Sequence, residues 1–202
     1  MSDAVAHHGA HAHGPQPVTG VPDYKLAMWV FLGSECFFFG SLLGTYMVYR
    51  GKSLTGPYPA EVFDPAVTSF STFDLLLSSL FMVLAVHYAR ENDVKRLTIW
   101  LLATMAGGLV FLGCQVYEFS HFIHDGLTLK SNIFGASFYI LTGFHGTHVA
   151  VGVFLLGTVL WSARAGHLKD MGETTEVIGL YWHFVDIVWI AIFTLVYLME
   201  YA

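Results

Sequence analysis

Five long apolar stretches dominate the chain, and shorter polar segments separate them. The stretches cover residues 26–49, 71–89, 97–119, 134–162 and 177–199. A helix that crosses the hydrocarbon core of a bilayer needs about 20 mainly apolar residues, and each stretch is close to that length or longer. The pattern therefore predicts an all-α, polytopic membrane protein whose fold is a bundle of five transmembrane helices.

The composition agrees with a membrane location. The chain has 202 residues, of which 55% are hydrophobic and only 12% are charged, whereas about 25% of the residues in a soluble domain are charged. So few charged side chains do not cover a globule in water. The nine lysines and arginines occur singly or in pairs and the net charge is −6, which argues against the dense basic surface that nucleic acids require.

The basic residues of the connecting segments indicate the orientation, because lysine and arginine are retained on the cytoplasmic side during insertion. With the N-terminus inside, the inner segments hold six basic residues and the outer segments hold three. The inner residues are Lys25, Arg90, Lys95, Arg96, Arg164 and Lys169, and the outer residues are Arg50, Lys52 and Lys130. We therefore expect the N-terminus inside and the C-terminus outside.

The chain divides into a tail and a membrane domain. Residues 1–23 have too few large apolar groups to offset the entropy cost of ordering, so they are expected to form a flexible His-rich tail. Its four clustered histidines are His7, His8, His11 and His13, and metal binding is the alternative to a solvated arm. Residues 24–202 form the five-helix domain, in which the proline-containing segment 51–68 is a stiff external connection.

Nine polar or ionisable side chains fall inside the predicted spans. An ionisable side chain in hydrocarbon is costly, so each is expected to face the bundle interior and to find a partner. Three of them lie near predicted span ends and are expected to reach the membrane interface: Asp74, His87 and Glu118. The others are Glu35, Gln115, His145, His148, His183 and Asp186.

Four of these residues lie at matching depths on the fourth and fifth spans. At a rise of about 1.5 Å per residue, His145 is expected opposite Asp186, and His148 near His183. Two interpretations remain open. Facing imidazoles can ligate haem or a metal ion in a bundle interior, or the side chains can hydrogen-bond one another and fix the register of the helices. No zinc-protease, nucleophile-elbow or phosphate-loop motif accompanies them.

The first span carries an acid near its centre, so it does not resemble a cleavable signal peptide. This acid, Glu35, is either a hydrogen-bonded packing element or part of a proton-handling path. Gly40 and Gly44 follow at the spacing that lets membrane helices approach closely. Four tryptophans near the inner span ends are expected at the membrane interface: Trp29, Trp100, Trp161 and Trp182.

Four motifs in four different spans occur together. They are GSECFFF at 33–39, QVYEF at 115–119, GFHGTHV at 143–149 and YWHFVDIVW at 181–189. In this combination the chain resembles subunit III of the haem-copper terminal oxidases. The resemblance runs in order from Lys25 to Ala202 and fits the short, five-helix form, because the two leading helices of the seven-helix form have no counterpart.

The resemblance implies a non-catalytic subunit that binds no haem or copper. Haem and copper belong to partner subunits, namely subunit I, which this chain contacts directly, and subunit II; some complexes add a small subunit IV. The implied roles are to stabilise subunit I, to support proton uptake and to hold phospholipid. In the seven-helix form the leading helices wall one side of a lipid cleft, so another subunit is expected to complete that wall here.

By position, seven residues match the family's structural or proton-related intramembrane residues. These are Glu35, Gln115, Glu118, His145, His148, His183 and Asp186. Five acids of the inner segments are expected either to attract protons near the uptake surface or to be ordinary solvated side chains. They are Glu91, Asp93, Asp170, Glu173 and Glu176.

The implied complex lies in the inner (plasma) membrane of a prokaryote, reduces oxygen to water and pumps protons. Glu at position 35 resembles the cytochrome c oxidases, so an aa3-type cytochrome c oxidase is the first hypothesis. The His-rich tail resembles some quinol oxidase relatives, which makes subunit III of a quinol oxidase the alternative. Two hypotheses from other classes are a stand-alone haem or metal enzyme and a proton-coupled transporter, although five spans do not divide into the equal halves typical of many transporters.

Overall fold

Five long α-helices form the architecture of the part that the computed structural model describes, residues 22–52, 65–168 and 170–200. The helices are α1 (Asp23–Tyr49), α2 (Pro65–Arg90), α3 (Val94–His124), α4 (Ile133–Arg164) and α5 (Met171–Ile192). Each is long and apolar enough to cross a membrane, so the predicted five-helix membrane bundle is confirmed. Most of the predicted tail and much of the connection 51–68 lie outside the described residues.

Successive helices run in opposite directions. α1, α3 and α5 begin at one end of the bundle, which we call the proximal end, and α2 and α4 begin at the opposite, distal end. Lys25 near the start of α1 contacts Glu176 near the start of α5. Arg50, which follows α1, donates from Nη2 to the carbonyl oxygen of Met199 at 2.5 Å. α1 and α5 are therefore parallel.

The helices extend beyond the apolar stretches that predicted them. α2 begins at Pro65 rather than at residue 71, because proline fits the first turn of a helix, where its missing N–H is not needed. α5 begins at Met171 rather than at residue 177, and the Asp170 side chain caps it by accepting from the Glu173 amide at 2.9 Å. The same chain continues beyond α5 as a π-helical turn, Phe193–Tyr197, and a 3₁₀ turn, Leu198–Glu200.

Trp182 of α5 lies at the centre of the packing among α2, α3, α4 and α5. Its side chain is fully buried, and Nε1 donates to Ser78 Oγ on α2 at 3.2 Å. A Cβ at Gly108 of α3 would lie 2.6 Å from Cη2 of the indole, and a Cβ at Gly152 of α4 would lie 2.8 Å from Cε3. The ring fits only because both positions are glycine. The predicted interfacial location of Trp182 is wrong, since neighbouring helices enclose the ring.

α1 lies at the side of the bundle, where it contacts α4 and α5. Its buried residues are Leu32, Phe39 and Tyr46, which recur every seven residues and form one narrow stripe. A Cβ at Gly40 or Gly44 would meet no atom of the described residues within 4 Å. Among these residues the predicted close approach at the two glycines is therefore wrong, because they lie on the outward face of α1.

Candidate functional site

Glu35 of α1 and His148 of α4 form a polar contact inside the bundle. Oε2 of Glu35 lies 3.2 Å from Nε2 of His148, and the two side chains are 17% and 18% exposed. The other ring nitrogen of His148, Nδ1, lies 2.8 Å from the carbonyl oxygen of Phe144 one turn earlier. Both nitrogens of this imidazole therefore have a polar neighbour.

The His148 ring presents a different nitrogen to each neighbour. A carbonyl oxygen only accepts hydrogen bonds, so the contact with Phe144 assigns Nδ1 as the donor. Nε2 then faces the Glu35 carboxyl group at 3.2 Å. A polar neighbour lowers the cost of placing an ionisable side chain among apolar helices. The contact joins α1 to α4 inside the bundle.

His183 of α5 faces α2. Its Nδ1 lies 2.7 Å from Ser79 Oγ and 4.0 Å from Oδ2 of Asp186, and the His183 side chain is 32% exposed. The Ser79 hydroxyl also lies near the Asp186 carboxyl group, but its hydrogen bond is to His183. Neither Asp186 oxygen has a hydrogen-bond partner among the described residues.

His145 of α4 is fully buried among aromatic rings. Its imidazole stacks on Trp189 with ring centroids 4.9 Å apart, and it meets Phe111 edge to face at 5.6 Å. Within the part of the chain that the structure describes, neither ring nitrogen of His145 has a hydrogen-bond partner. His145 is thus held by ring packing rather than by a polar contact.

The residues predicted to pair across α4 and α5 do not hydrogen-bond one another. His148 contacts Glu35 rather than His183, and His145 does not hydrogen-bond Asp186. The prediction compared heights along the helices and had no information on rotation about the helix axes. His148 is turned toward α1 and His183 toward α2, so residues at similar depth face different neighbours.

The side chain of Gln115 on α3 occupies the space beside Gly146, the glycine between the two histidines of α4. Its Nε2 donates to the carbonyl oxygen of Thr142 at 2.7 Å, and its side chain is buried. A Cβ at Gly146 would lie 2.3 Å from Oε1 of Gln115. Glycine at this position therefore lets the Gln115 amide cross between α3 and α4.

Glu118 is a buried residue of α3, 5% exposed, and it accepts a hydrogen bond from the Thr68 hydroxyl of α2. Its interfacial location stays a prediction, but its contact with α2 was not expected. The contact was missed for the same reason that the prediction for α2 was too short. Thr68 lies in the first turns of α2, outside the apolar stretch that begins at residue 71, so the sequence offers no helix there to cover Glu118.

Asp74 and His87 of α2 differ in their surroundings. Asp74 follows Pro65 by nine residues, about 14 Å along the helix, and its Oδ2 is buried without a hydrogen-bond partner among the described residues. It lies in the helix interior, so its expected location at a span end is wrong. The His87 side chain is 60% exposed and lies 3.4 Å from Glu91; its interfacial location stays a prediction.

Three charged side chains join α1, α2 and α5 at the proximal end, and we call them the proximal ion cluster. Glu176 contacts Lys25 through Oε1, and its Oε2 accepts from Arg90 Nη2 at 2.8 Å. Sequence reasoning missed this cluster because the two cations are 151 and 86 residues away along the chain. The available signal was that all three residues lie at the same predicted side of the membrane.

These contacts connect helices rather than form a metal centre. The residues that the structure describes contain no group of three or more His, Cys, Asp and Glu side chains that could hold a metal ion. Instead, separate polar contacts join α1 to α4, α2 to α5, α3 to α4 and α2 to α3. Such contacts fix the rotation and height of membrane helices.

Fold and site together define a polytopic helical membrane protein whose intramembrane polar groups contact one another across the bundle. The chain matches the family model described as cytochrome c oxidase subunit III over residues 3–201. It belongs to this family, and the resemblance of its four motifs is confirmed.

The similar proteins include both kinds of oxidase subunit. Quinol oxidase subunit 3 of Bacillus subtilis is 38% identical over 175 residues, which cover 86% of this chain and 86% of the relative. Cytochrome c oxidase subunit 3 of the same organism is 39% identical over 176 residues, 86% of this chain and 85% of the relative. Cytochrome c oxidase subunit 3 of Thermostichus vulcanus is 37% identical over 206 residues, with coverage of 97% and 94%.

Proposed function

We propose that the chain is the non-catalytic subunit III of a respiratory haem-copper oxidase, of the aa3-type cytochrome c oxidases that reduce oxygen to water and pump protons. The family match over residues 3–201 carries this proposal. In such a complex haem and copper belong to partner subunits, and this chain holds no redox centre. Its polar residues are structural or proton-related: Glu35, Gln115, Glu118, His145, His148, His183 and Asp186.

The chain acts on the enzyme through subunit I, which it contacts directly. A partner that binds only the native form of subunit I shifts the equilibrium of that subunit toward the native form, without taking part in the chemistry. The exposed apolar faces of the helices provide the surface for this contact. Subunit II and, where the complex has one, subunit IV complete the assembly.

Support of proton uptake is assigned to the proximal end, where five acids lie: Glu91, Asp93, Asp170, Glu173 and Glu176. Four have structural contacts, since Asp93 and Asp170 cap helices, Glu176 belongs to the proximal ion cluster and Glu91 lies 3.4 Å from His87. These contacts support the alternative of an ordinary structured surface for those four. Substitution of Glu91 and Glu173 by glutamine tests whether these acids attract protons. If they do, proton uptake should be slower at high pH in the variants. If uptake is unchanged, this role is discarded.

The proximal end is proposed to face the cytoplasm of a prokaryotic cell, with the chain in its plasma membrane. The excess of basic residues in the segments at this end supports that orientation. Residues 1–23 then form a cytoplasmic tail and residues 24–202 the membrane domain. Alkaline phosphatase fused after residue 202 should be active, and the same enzyme inserted at Asn92 should be inactive; the reverse result excludes the orientation.

Bound phospholipid is proposed along the outward faces of α3 and α4. Large apolar side chains there are strongly exposed, such as Val116 at 69% and Phe154 at 70%, and acyl chains cover such surfaces in a membrane. Native mass spectrometry of the purified complex should detect phospholipid that stays with this subunit through detergent exchange. A subunit that carries no lipid under these conditions contradicts this part of the proposal.

The main experiment is purification in mild detergent through a tag on this chain, followed by spectroscopy and mass spectrometry. We expect haem a and a copper-bearing subunit II to copurify, with oxidation of reduced cytochrome c. A quinol oxidase is the second candidate, because the two Bacillus subtilis relatives are 38% and 39% identical and do not separate the branches. If the purified complex oxidises quinol and contains no copper-bearing subunit II, the result supports the quinol oxidase.

The experiment also tests the rival classes. If the isolated chain has its own haem band or stoichiometric metal, it is a stand-alone enzyme and the proposal fails. If no oxidase subunit copurifies from membranes that contain the full complex, the subunit proposal fails as well.

A further inference from the structure

One ring nitrogen of His183 has no hydrogen-bond partner among the described residues. Nδ1 is occupied by Ser79 Oγ at 2.7 Å, whereas Nε2 has no partner among the described residues, and the side chain is 32% exposed. His183 follows Met171 by twelve residues, about 18 Å along the helix. The open nitrogen therefore lies near the middle of this candidate membrane span.

Other exposed polar groups at membrane depth form hydrogen bonds within their own helix. Thr147 donates its hydroxyl proton to the carbonyl oxygen of Gly143 at 2.9 Å, Thr158 to Leu155 at 2.7 Å, and Ser41 to Phe38 at 2.7 Å. A hydroxyl that bonds its own helix can face acyl chains at little cost. His183 Nε2 differs, because none of the described residues bonds it.

His183 also lies in a stripe suited to helix packing. Between Gly179 and Ile190, the residues of α5 that are not buried are Leu180, His183, Ile187 and Ile190, with alternating spacings of three and four. This is the spacing of a seam against a single helix, in which one polar residue sets the register. We call these four residues the α5 ridge; Ile187 is 63% exposed and Ile190 is 43% exposed.

Grooves flank the α5 ridge on both sides. The groove toward α2 has a volume of about 340 Å³, includes Val83, Val86 and Gly179, and extends to Arg90 and Glu176 of the proximal ion cluster. The groove toward α1 has a volume of about 330 Å³ and includes Trp29, Leu32 and Gly33. Leu180 and His183 border both grooves. The side chains of a helix laid along the ridge would fill both grooves and bring its own polar group to Nε2.

We propose that the α5 ridge is the surface on which a transmembrane helix of a partner oxidase subunit docks, with a hydroxyl, amide or carboxyl side chain that hydrogen-bonds His183 Nε2. Such a group satisfies Nε2 in either tautomer, which an acyl chain does not. This inference rests on the proposed function and specifies the face through which the subunit assembles.

Site-specific photocrosslinking in the intact complex tests the docking face. The photoreactive residue p-benzoylphenylalanine replaces Ile187 on the ridge or, as control, Phe154 on the outward face of α4, which is 70% exposed. We expect the Ile187 position to crosslink to a partner subunit and the Phe154 position to give lipid adducts. Lipid adducts at Ile187, or crosslinks to a partner at Phe154 alone, overturn the docking face and leave the proposed function intact. Failure of the wild-type chain to copurify with oxidase subunits overturns both.

Substitutions of His183 test the hydrogen bond itself. His183→Leu should reduce the retention of the partner subunit in a detergent titration about threefold, the effect of an average interhelical hydrogen bond in a membrane protein. His183→Gln, whose amide reaches the same position, should retain the partner nearly as well as wild type. Thr147→Val, which removes a hydroxyl bonded to its own helix, should have no effect.

The internal Ser79 contact needs its own control, because His183→Leu removes it too. Ser79→Ala removes that contact and leaves Nε2 available, so it should retain the partner like wild type. If Ser79→Ala and His183→Leu reduce retention equally, the effect comes from within the bundle and the proposed intermolecular hydrogen bond is rejected. Equal retention in His183→Leu and wild type rejects it as well.

Discussion

α1 and α2 both pack against α5, but different contacts hold them. α2 packs closely, and two buried indoles of α5 donate to its hydroxyls, Trp182 to Ser78 at 3.2 Å and Trp189 to Thr72 at 2.9 Å. α1 presents one narrow stripe, and polar contacts link it to the rest of the chain at three heights. These contacts are Lys25 with Glu176, Glu35 with His148, and Arg50 with Met199.

This comparison illustrates the two ways in which membrane helices associate. Lipid tails are as apolar as leucine, so the hydrophobic effect does not drive one helix against another inside the bilayer. Close approach of small residues and interhelical polar contacts remain as the sources of stability. The α2 side uses both together, whereas the α1 side combines its polar contacts with one stripe of aromatic packing, such as Phe38 against Phe144 at 5.2 Å. Substitutions that overpack the core should therefore have larger effects than removal of one polar partner at α1.

The largest effect is expected where a glycine accommodates Trp182. Gly108→Leu should lower the free energy of unfolding by about 3 kcal/mol, the upper part of the range for an overpacked core, because even a Cβ would lie 2.6 Å from the indole. Gly113→Leu on the same helix should have little effect, since a Cβ there meets no atom within 4 Å in the part of the chain that the structure describes. Thermal unfolding in detergent measures both. Equal melting temperatures for the two variants would contradict the central position of Trp182.

A smaller effect is expected for the contact that holds the middle of α1. In a double-mutant cycle with Glu35→Leu and His148→Leu, the coupling energy should be about 1 kcal/mol, within the range up to about 1.7 kcal/mol measured for membrane helices. Unfolding in mixed micelles gives the four stabilities. Ser34→Ala in place of Glu35→Leu is the control, because the Ser34 hydroxyl bonds the Phe31 carbonyl of its own helix. Additive effects of the first pair would mean that the 3.2 Å contact contributes nothing.

The hydrogen bond from Trp189 to Thr72 should contribute less. Thr72→Val keeps the shape of the side chain and removes the acceptor, so the loss should be about 0.6 kcal/mol, the average for membrane proteins. Thr147→Val is the matched control, since its hydroxyl bonds its own helix. Chemical unfolding distinguishes the two substitutions, and a loss shared by both would point to β-branched packing instead of the indole contact.

The smallest effect is expected at the proximal ion cluster. Glu176→Gln should cost about 0.5 kcal/mol, as for other partly exposed ion pairs, because its side chain is 24% exposed and Arg90 is 62% exposed. The cost should shrink in about 1 M salt, where the screening length is about 3 Å. Glu173→Gln serves as the control for loss of charge alone. A cost that does not change with salt would assign the effect to packing rather than to charge.

The sequence predicted the number and order of the helices because apolar length is a local property. The predicted helices were too short at their starts. The first turns of α2 and α5 contain residues such as Pro65 and Thr174, which are suited to helix starts or interfaces but are not apolar. That error had consequences for the site. With α2 beginning at residue 65, Thr68 meets Glu118 and Asp74 lies nine residues into the helix, whereas the shorter prediction had no helix at Thr68 and placed Asp74 near a span end.

The candidate residues were also predictable, but their partners were not. Glu35, His148 and His183 stand out because ionisable side chains are rare in apolar stretches. Their contacts depend on rotation about each helix axis, and a sequence without a tertiary fold does not determine this angle. Trp182 shows the same limit, since its position near a predicted span end suggested the interface, while Gly108 and Gly152 on other helices make room for it inside.

The sequence by itself determined that this chain is a five-helix membrane protein of the subunit III family, because hydrophobic length and motif order are properties of consecutive residues. Only the tertiary structure decided which polar groups meet: Glu35 with His148, Ser79 with His183, and Thr68 with Glu118. The physical reason is that side chains on different helices meet when depth and rotation both agree, and the packing of the whole bundle sets the rotation.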